Sequence, residues 1–185
     1  MPLRLVGVED GSFEPFKQGA WAYLCAVRMV GPKVDEIRIG KVAVDGAEAT
    51  NVLLGMLRGL DSDVVLLGGV SFAGFNVVDV RRLNEELHIP VVIYSGVQPD
   101  SYSVLAALKA HFGDWERRWS PIKGLGEVCE VETKEGQPRV YFEVVGASPE
   151  WATDVLRGSV GLSRAAECVR VAGVVARGLG LCSGP

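Results

Sequence analysis

The alternation of apolar and polar residues at the start of the chain predicts three strands, over residues 3–8, 20–30 and 34–44. In the second run Trp21, Tyr23 and Cys25 alternate onto one face, as expected for a half-buried strand. Gly31-Pro32-Lys33 separates the last two runs and is typical of a tight turn. We therefore predict that these strands form an antiparallel meander.

From residue 45 onward the pattern changes to helices alternating with short strands. Apolar residues at helical spacing predict a helix over residues 45–59, and an aliphatic run that starts at Val64 predicts a fully buried strand. A helix over 77–87, a strand over 89–94 and a helix over 99–111 come next, followed by a hairpin over 127–145 and helices over 149–158 and 163–178. The central alternation is typical of right-handed parallel crossovers.

A glycine-rich segment follows the buried strand. Gly68, Gly69 and Gly74 allow a positive φ or close backbone approach, while Phe72 and Phe75 are unusually large and apolar for a loop. Two interpretations are open. Both rings fold into the core, or the loop forms a site at the carboxyl end of the strand, where open α/β sheets bind ligands.

The composition is that of a compact globular chain. Its 185 residues are 48% hydrophobic and 23% charged, which predicts one domain over residues 1–185. A net charge of −4 argues against a broad electrostatic coat for nucleic acid, but leaves a local basic site open. Without a signal peptide or a membrane-length apolar run, we expect a cytoplasmic protein without membrane association. The four cysteines match no zinc pattern and are expected to be buried free thiols. The oligomeric state is left open.

The element order predicts a ribonuclease-H-like α/β fold, with a mixed sheet of three antiparallel strands followed by parallel strands, and a C-terminal hairpin and helices. In that arrangement the ends of the first and fourth strands are neighbours, so Glu9 and Asp10 are expected to face the loop at Gly68. Two carboxylates in such a place are suited to Mg²⁺, which prefers oxygen ligands and supports phosphodiester hydrolysis.

Several stretches resemble the archaeal endonuclease dU family, which is related to endonuclease V. The similar stretches cover most of the chain and lie at residues 6–11, 44–50, 66–79, 98–100 and 107–117, with Glu167 and Arg170 near the end. The resemblance implies an endonuclease dependent on Mg²⁺ or Mn²⁺ that cuts DNA near a deaminated base, deoxyuridine in this branch. DNA is the expected partner, and RNA is the alternative. By the same resemblance Glu9 and Glu48 are the expected catalytic residues, and Glu9, Asp10 and Glu48 the expected metal ligands.

Three positions depart from the family pattern. The central strand ends in Leu67-Gly68-Gly69, where the family has Leu-Asp-Gly, and the first strand carries Glu9 in place of Asp. Gly173 stands where the endonuclease V pattern has Asp or His. Losing a charged ligand is expected to cost on the order of a thousandfold in rate or affinity. An alternative function is therefore a catalytically impaired relative that binds nucleic acid or a nucleotide.

Each expected ligand has a purely structural alternative. Asp10 precedes Gly11 and is also a common turn former. Asp45 and Glu48 have the spacing of a capping box, which alone would explain both. Arg170 is expected to contact phosphate, but it is also spaced to pair with Glu167 along a helix.

The glycine-rich segment supplies the candidate base-binding residues. Enzymes that act on a damaged base take it out of the stack and contact it with backbone amides, amide side chains and stacking surfaces. Gly69, Phe72 and Asn76 are of these types, although Asn76 is equally suited to capping a helix. Nearby basic residues would favour nucleic-acid binding if they shared one face: Arg117, Arg118, Lys123, Arg164 and Arg170.

Overall fold

A computed structural model describes residues 2–17 and 19–182. The chain begins with β1 (Arg4–Asp10), β2 (Trp21–Val30) and β3 (Lys33–Ala43), which pair antiparallel in that order. The turn between β2 and β3 contains Gly31 at φ 58°, a left-handed conformation that glycine adopts without strain. The predicted meander is confirmed.

The next segment leads into the centre of the molecule. Helix α1 (Ala49–Leu57) is followed by β4 (Val64–Leu67), in which every residue is buried. Residues 68–76, the glycine-rich loop, then fold back on themselves, so that β5 (Ser71–Phe72) pairs antiparallel with β6 (Asn76–Val77) in a separate short ribbon. The loop therefore has a defined backbone at the end of the buried strand.

Parallel pairing builds the middle of the sheet. After the ribbon come α2 (Val80–Leu87) and β7 (Val91–Ser95). Strand β4 lies parallel to β1, and β7 lies parallel to β4, which confirms the predicted crossovers. Since parallel strands end at the same edge, the carboxyl ends of all three meet beside the glycine-rich loop.

The second half of the chain extends the sheet and covers it. The elements follow in the order α3 (Ser101–His111), α4 (Trp115–Lys123), β8 (Cys129–Val131), β9 (Val140–Val145), α5 (Pro149–Ser159) and α6 (Glu167–Cys182). Strands β8 and β9 pair antiparallel, as the predicted hairpin requires. Strand β9 also pairs antiparallel with β7, giving a seven-stranded sheet in the order β3-β2-β1-β4-β7-β9-β8.

Helices cover both faces of the sheet. On one face Val6 and Val8 pack with residues of α1 and α2, including Leu53 and Leu83. On the other face the core contains residues of β2, β4, α5 and α6, among them Cys25, Val27, Leu66, Val155 and Val169. No helix among the described residues is long and apolar enough to cross a membrane.

Helix α6 lies unusually close to β1. A Cβ atom on Gly7 would be 2.6 Å from the carbonyl oxygen of Cys168, and one on Gly11 would be 2.7 Å from that of Ala176. Glycine is required at both positions because the clashing atoms belong to the helix backbone. The helix therefore passes directly over the end of β1 that carries the acidic residues.

Candidate acidic site and its neighbouring cavities

The end of β1 and the end of β4 are neighbours, as predicted. Val8 is in register with Leu67, and the N–H of Gly68 donates a 3.0 Å hydrogen bond to the carbonyl oxygen of Val8. Glu9 follows Val8, and its side chain lies against Gly68. The parallel pairing of these strands thus brings the first acidic residue to the start of the glycine-rich loop.

Glu9 fills a space bounded by two glycines. Its Cδ lies 2.8 Å from the Cβ position of Gly68, and its Cγ lies 3.0 Å from the Cβ position of Gly173 on α6. Burial, and then the neighbouring charge of Asp10, raise the pKa of Glu9 from 4.5 to about 7, while the positive charge of Arg177 opposes the shift. The carboxyl group of Glu9 is therefore costly to ionise unless a cation lies beside it.

Asp10 joins the acidic site to the glycine-rich loop. Its Oδ2 accepts a 2.5 Å hydrogen bond from the N–H of Ala73, which has φ 46°. Burial raises the pKa of Asp10 above its ordinary value. This effect exceeds the opposing effects of the hydrogen bond from Ala73 and the charge of Arg177. Asp10 ends β1 without forming a local turn, and it bonds to the glycine-rich loop with its carboxylate beside Glu9. We refer to Glu9 and Asp10 as the acidic pair.

Glu48 is committed to backbone hydrogen bonds. Its Oε1 accepts from the N–H of Ala43 at 2.6 Å, and its Oε2 accepts from the N–H of Ala47 at 2.9 Å. Burial acts to raise the pKa of Glu48, but these hydrogen bonds outweigh it and the pKa is lowered. Asp45 accepts a 2.9 Å bond from the N–H of Phe75 instead of capping α1. The predicted capping box is therefore wrong, since neither side chain caps the helix.

Asn76 caps α1, a role that the spacing in the sequence assigned to Asp45 and Glu48. Its Oδ1 accepts from the N–H of Ala49, the first residue of α1, at 2.9 Å, and its Nδ2 donates to the carbonyl oxygen of Ala43 at 3.0 Å. Asn76 is 0% exposed and Phe72 is 1% exposed. In this structure neither side chain has a surface available to a base. The core interpretation is confirmed for Phe72, whereas Phe75 is only partly buried and its ring packs against that of Phe112.

Gly69 differs from these two residues because it borders an open cavity of about 410 Å³. The residues that give the cavity its chemistry are Tyr94, Trp119, Lys123, Tyr141 and Glu143. Burial raises the pKa of Glu143. Burial and then the charge of Glu9 raise the pKa of Tyr94, so Tyr94 in the cavity wall is close enough to Glu9 for their charges to interact. We call this space the aromatic cavity.

The last helix presents a different arginine from the expected one. Arg170 is paired with Glu167 through bonds of 2.9 and 2.5 Å. Arg177 instead lies near the acidic pair, with Nη1 2.9 Å from the Cβ position of Gly173. It was missed from the sequence, although it is four residues after Gly173 and therefore on the same helix face.

The remaining basic residues are divided between different surroundings. Lys123 lines the aromatic cavity, whereas Arg117 and Arg118 line a separate polar cavity. Arg164 donates to the carbonyl oxygens of Gly96 and Arg139 and so has a structural role.

The acidic pair lacks a third carboxylate among the described residues. Within residues 2–17 and 19–182 no three His, Cys, Asp or Glu side chains come together in a group that could hold a metal ion. Glu48 therefore does not complete a cage with Glu9 and Asp10. The pair alone fits Mg²⁺, which commonly takes one or two carboxylates and completes its shell with water and substrate phosphate.

The cysteines are all free, but only two match the expectation. Cys25 and Cys168 are buried, Cys129 is partly exposed and Cys182 is exposed. The prediction of buried thiols is therefore wrong for Cys129 and Cys182.

Comparison with solved structures identifies the class of fold. A protein of unknown function from Archaeoglobus fulgidus superposes with a TM-score of 0.84 at 24% identity, covering 96% of this chain and 98% of that one. Ciona intestinalis endonuclease V, solved with a 24mer DNA containing an inosine followed by a ribo-adenosine, gives a TM-score of 0.61 at 14% identity, with coverage of 98% and 87%. Human endonuclease V superposes with a TM-score of 0.60 at 16% identity, covering 100% of this chain and 87% of that one. The chain has the ribonuclease-H-like fold of endonuclease V, as predicted.

Sequence relatives identify the family. The family model described as Endonuclease dU matches residues 2–180, and the chain belongs to that family. A UPF0215 protein from Methanothermobacter thermautotrophicus is 32% identical over 183 residues, which cover 97% of this chain and 88% of the relative. A UPF0215 protein from Pyrococcus furiosus is 32% identical over 180 residues, with coverage of 94% and 90%.

Proposed function

We propose that this protein is an endonuclease that requires Mg²⁺ or Mn²⁺ and cuts DNA beside a deaminated base, with deoxyuridine as the first candidate. The observation that carries the proposal is the buried acidic pair at the end of β1, next to the glycine-rich loop. Membership of the Endonuclease dU family supports the activity. The Ciona endonuclease V complex, whose DNA contains inosine, supports DNA bearing a deaminated base as the substrate class.

In this proposal Glu9 and Asp10 hold the metal ion. Burial raises the pKa of both carboxyl groups, and the charge of Asp10 raises that of Glu9 further, so a divalent cation would offset the cost of the buried negative charge. When bound, such an ion stabilises negative charge on the phosphodiester and lowers the pKa of a coordinated water. Arg177 supplies a positive charge near the acidic pair, where it would favour an approaching phosphate. Glu48 is left out of the ligand set because both of its oxygens accept backbone hydrogen bonds.

We assign base recognition to the aromatic cavity. Its volume of about 410 Å³ is ample for a nucleobase, and Gly69 and Tyr94 connect it to the acidic pair. The ring of Trp119 is a surface for stacking, while Lys123 and Glu143 provide hydrogen-bonding groups for the polar edge of uracil. This assignment keeps Gly69 from the predicted set and replaces Phe72 and Asn76 with residues of α4 and β9.

Nicking of oligonucleotides containing uracil or hypoxanthine tests the proposal. The natural protein should cut with Mg²⁺ or Mn²⁺ and be inactive in EDTA. Glu9→Gln and Asp10→Asn keep size and remove charge, and each should lower the rate by about a hundredfold or more. Arg139→Gln, a change at an exposed residue paired with Glu130, is the matched control and should cut normally. Metal-independent cutting, or full activity in both carboxylate variants, would exclude the acidic pair as the metal site.

A second function is a binding protein that has lost the chemistry. It is favoured by one observation, that no third carboxylate joins the acidic pair among the described residues. Such a protein would bind uracil-containing DNA with unchanged affinity in the presence of EDTA and would not cut it with either metal ion.

A further inference from the structure

A polar cavity of about 390 Å³ lies where the end of β6, α1, α2 and α4 meet. Three arginines contribute to its wall, Arg82 from α2 and Arg117 and Arg118 from α4, together with the start of α1 at Thr50 and Asn51. We call this space the arginine cavity. It shares no lining residue with the aromatic cavity.

Two of these arginines are held in place by the protein. Arg118, with a side chain 11% exposed, donates to the carbonyl oxygens of Gly46 and Phe75 at 2.7 and 2.8 Å. Arg82 donates to the side-chain oxygen of Asn51 at 2.9 Å. Their guanidinium groups are thus ordered before any ligand arrives, which lowers the entropic cost of binding.

Arg117 is different, because it makes no hydrogen bond or ion pair to any residue in the described part of the chain. The pKa of Asp114 is lowered mainly by the hydrogen bond from Arg118, and the charge of Arg117 adds a smaller effect in the same direction. An exposed arginine at the edge of a cavity that already contains two fixed arginines is available for a further partner.

The charges of the cavity favour an anion. Its two carboxylates are already engaged, since Asp114 accepts from Arg118 at 2.9 Å and Asp79 accepts from the N–H of Arg82 at 3.0 Å as the cap of α2. Arg82 is also paired with Glu86 at 2.7 Å, so of the three guanidinium groups only that of Arg117 lacks an ion pair within the described part of the chain. The amino end of α1 adds partial positive charge at the same place.

We propose that the arginine cavity binds a phosphate group of the nucleic-acid strand on which the acidic pair acts, with Arg117 as the main contact. The inference rests on the proposed function for the identity of the strand. The loop connects the two places directly: Asp10 bonds to the N–H of Ala73, and Arg118 bonds to the carbonyl oxygen of Phe75, two residues further along. A phosphate held in the cavity would set the register of the strand at the acidic pair.

DNA binding in EDTA tests this site apart from cutting. We would measure fluorescence anisotropy of a labelled uracil-containing oligonucleotide at several salt concentrations, with the natural protein, Arg117→Gln and Arg139→Gln. The Arg117 variant should bind about threefold to tenfold more weakly, with a salt slope reduced by about 0.7–0.9 for one lost phosphate contact. Arg139→Gln should match the natural protein. Because Arg117 is exposed and unpaired, its variant should also keep the natural melting temperature, which the same samples verify.

Three results would overturn the inference. Equal affinity and slope for Arg117→Gln and the natural protein would show that the cavity contacts no phosphate of the strand, and normal uracil-dependent cutting alongside would leave the proposed function intact. No binding of DNA by the natural protein in EDTA would also exclude phosphate binding by the arginine cavity. The proposed function would still be decided by the cutting assay. Weaker binding by Arg117→Gln with the same salt slope as the natural protein would show that the lost contact is not made to a phosphate.

Discussion

The side chain of Glu9 occupies the space that a side chain on Gly68 would need. A Cβ atom on Gly68 would lie 2.8 Å from Cδ of Glu9, and one on Gly173 would lie 3.0 Å from Cγ of the same residue. The three departures from the family pattern, a longer acid at position 9 and glycines at 68 and 173, therefore meet at one point. The additional methylene of Glu9 fills volume that the two glycines leave.

This arrangement changes the expected result of restoring an aspartate at position 68. The sequence alone predicts that Gly68→Asp raises metal-dependent activity. In the structure the new side chain would collide with Glu9 and approach Cγ1 of Val169, so we expect a loss of about 1–3 kcal/mol of stability and no gain in activity. Urea unfolding and the nicking assay measure the two effects.

The double variant Glu9→Asp with Gly68→Asp is the matched comparison. Shortening the acid makes room for the new carboxylate, so the double variant should be more stable than the two single changes predict, with a coupling of about 0.5–3 kcal/mol. Additive losses would show that Glu9 and position 68 do not compete for space.

The pH dependence of stability should report the burial of Glu9. Its pKa in the folded protein, about 7, lies above the ordinary value of 4.5, so the folded state binds more protons in that interval. The contribution of Glu9 to stability is fully present below about pH 4.5 and is lost as the pH rises through about 7. Urea unfolding in EDTA should show this decline, and Glu9→Gln should flatten it. Asp10 is shifted in the same direction, so the measured slope belongs to the pair. An unchanged slope in Glu9→Gln would contradict the assignment.

Two substitutions at Asp10 should separate its structural and chemical roles. Asp10→Asn keeps an oxygen that can accept from the N–H of Ala73, so we expect near-natural stability with weakened metal-dependent cutting. Asp10→Ala leaves that N–H without its partner and should cost about 1–3 kcal/mol as well. Equal stability of the two variants would show that the bond to Ala73 contributes little to folding.

The close approach of α6 to β1 predicts a severe effect at Gly7. Gly7→Ala would place Cβ against the backbone of Cys168 and Val169, which cannot move without shifting the helix, so we expect a loss of more than about 3 kcal/mol. Gly55→Ala is the control, because Gly55 is exposed in α1 and its Cβ would meet nothing within 4 Å. That change should stabilise the protein by about 0.5–1 kcal/mol. Thermal melts of both variants provide the comparison.

The strands and most helices were predictable because their sequence signal is local. The meander, the buried strand at Val64, the hairpin and five of the six helices follow from periodicity, whereas α4 was not predicted. The cap of α3 by Asp100 follows from residue type. Element ends were less accurate. The helix expected from residue 77 starts at Val80, because Asn76 and Val77 pair in the short ribbon and Asp79 caps the helix.

The candidate site depended on contacts between distant segments. The pairing of β1 with β4 could be inferred from the fold, and it placed Glu9 and Asp10 correctly beside the loop. Residue type and spacing could not show that Asn76 caps a helix earlier in the chain, or that Asp45 bonds to Phe75. Those partners are decided by the tertiary path of the loop, which no local pattern encodes.

Part of the wall of the aromatic cavity is built by elements that do not carry the acidic pair. Trp119, Tyr141 and Glu143 come from α4 and β9, whereas the acidic pair sits on β1 and the capping contacts of Asn76 bind the glycine-rich loop to α1. Mutations that alter the wall leave the strand carrying the carboxylates untouched, while mutations inside the loop disturb a helix. Under the proposed role of the aromatic cavity in base recognition, an experimenter seeking to change the substrate would therefore randomise positions 119, 141 and 143 first.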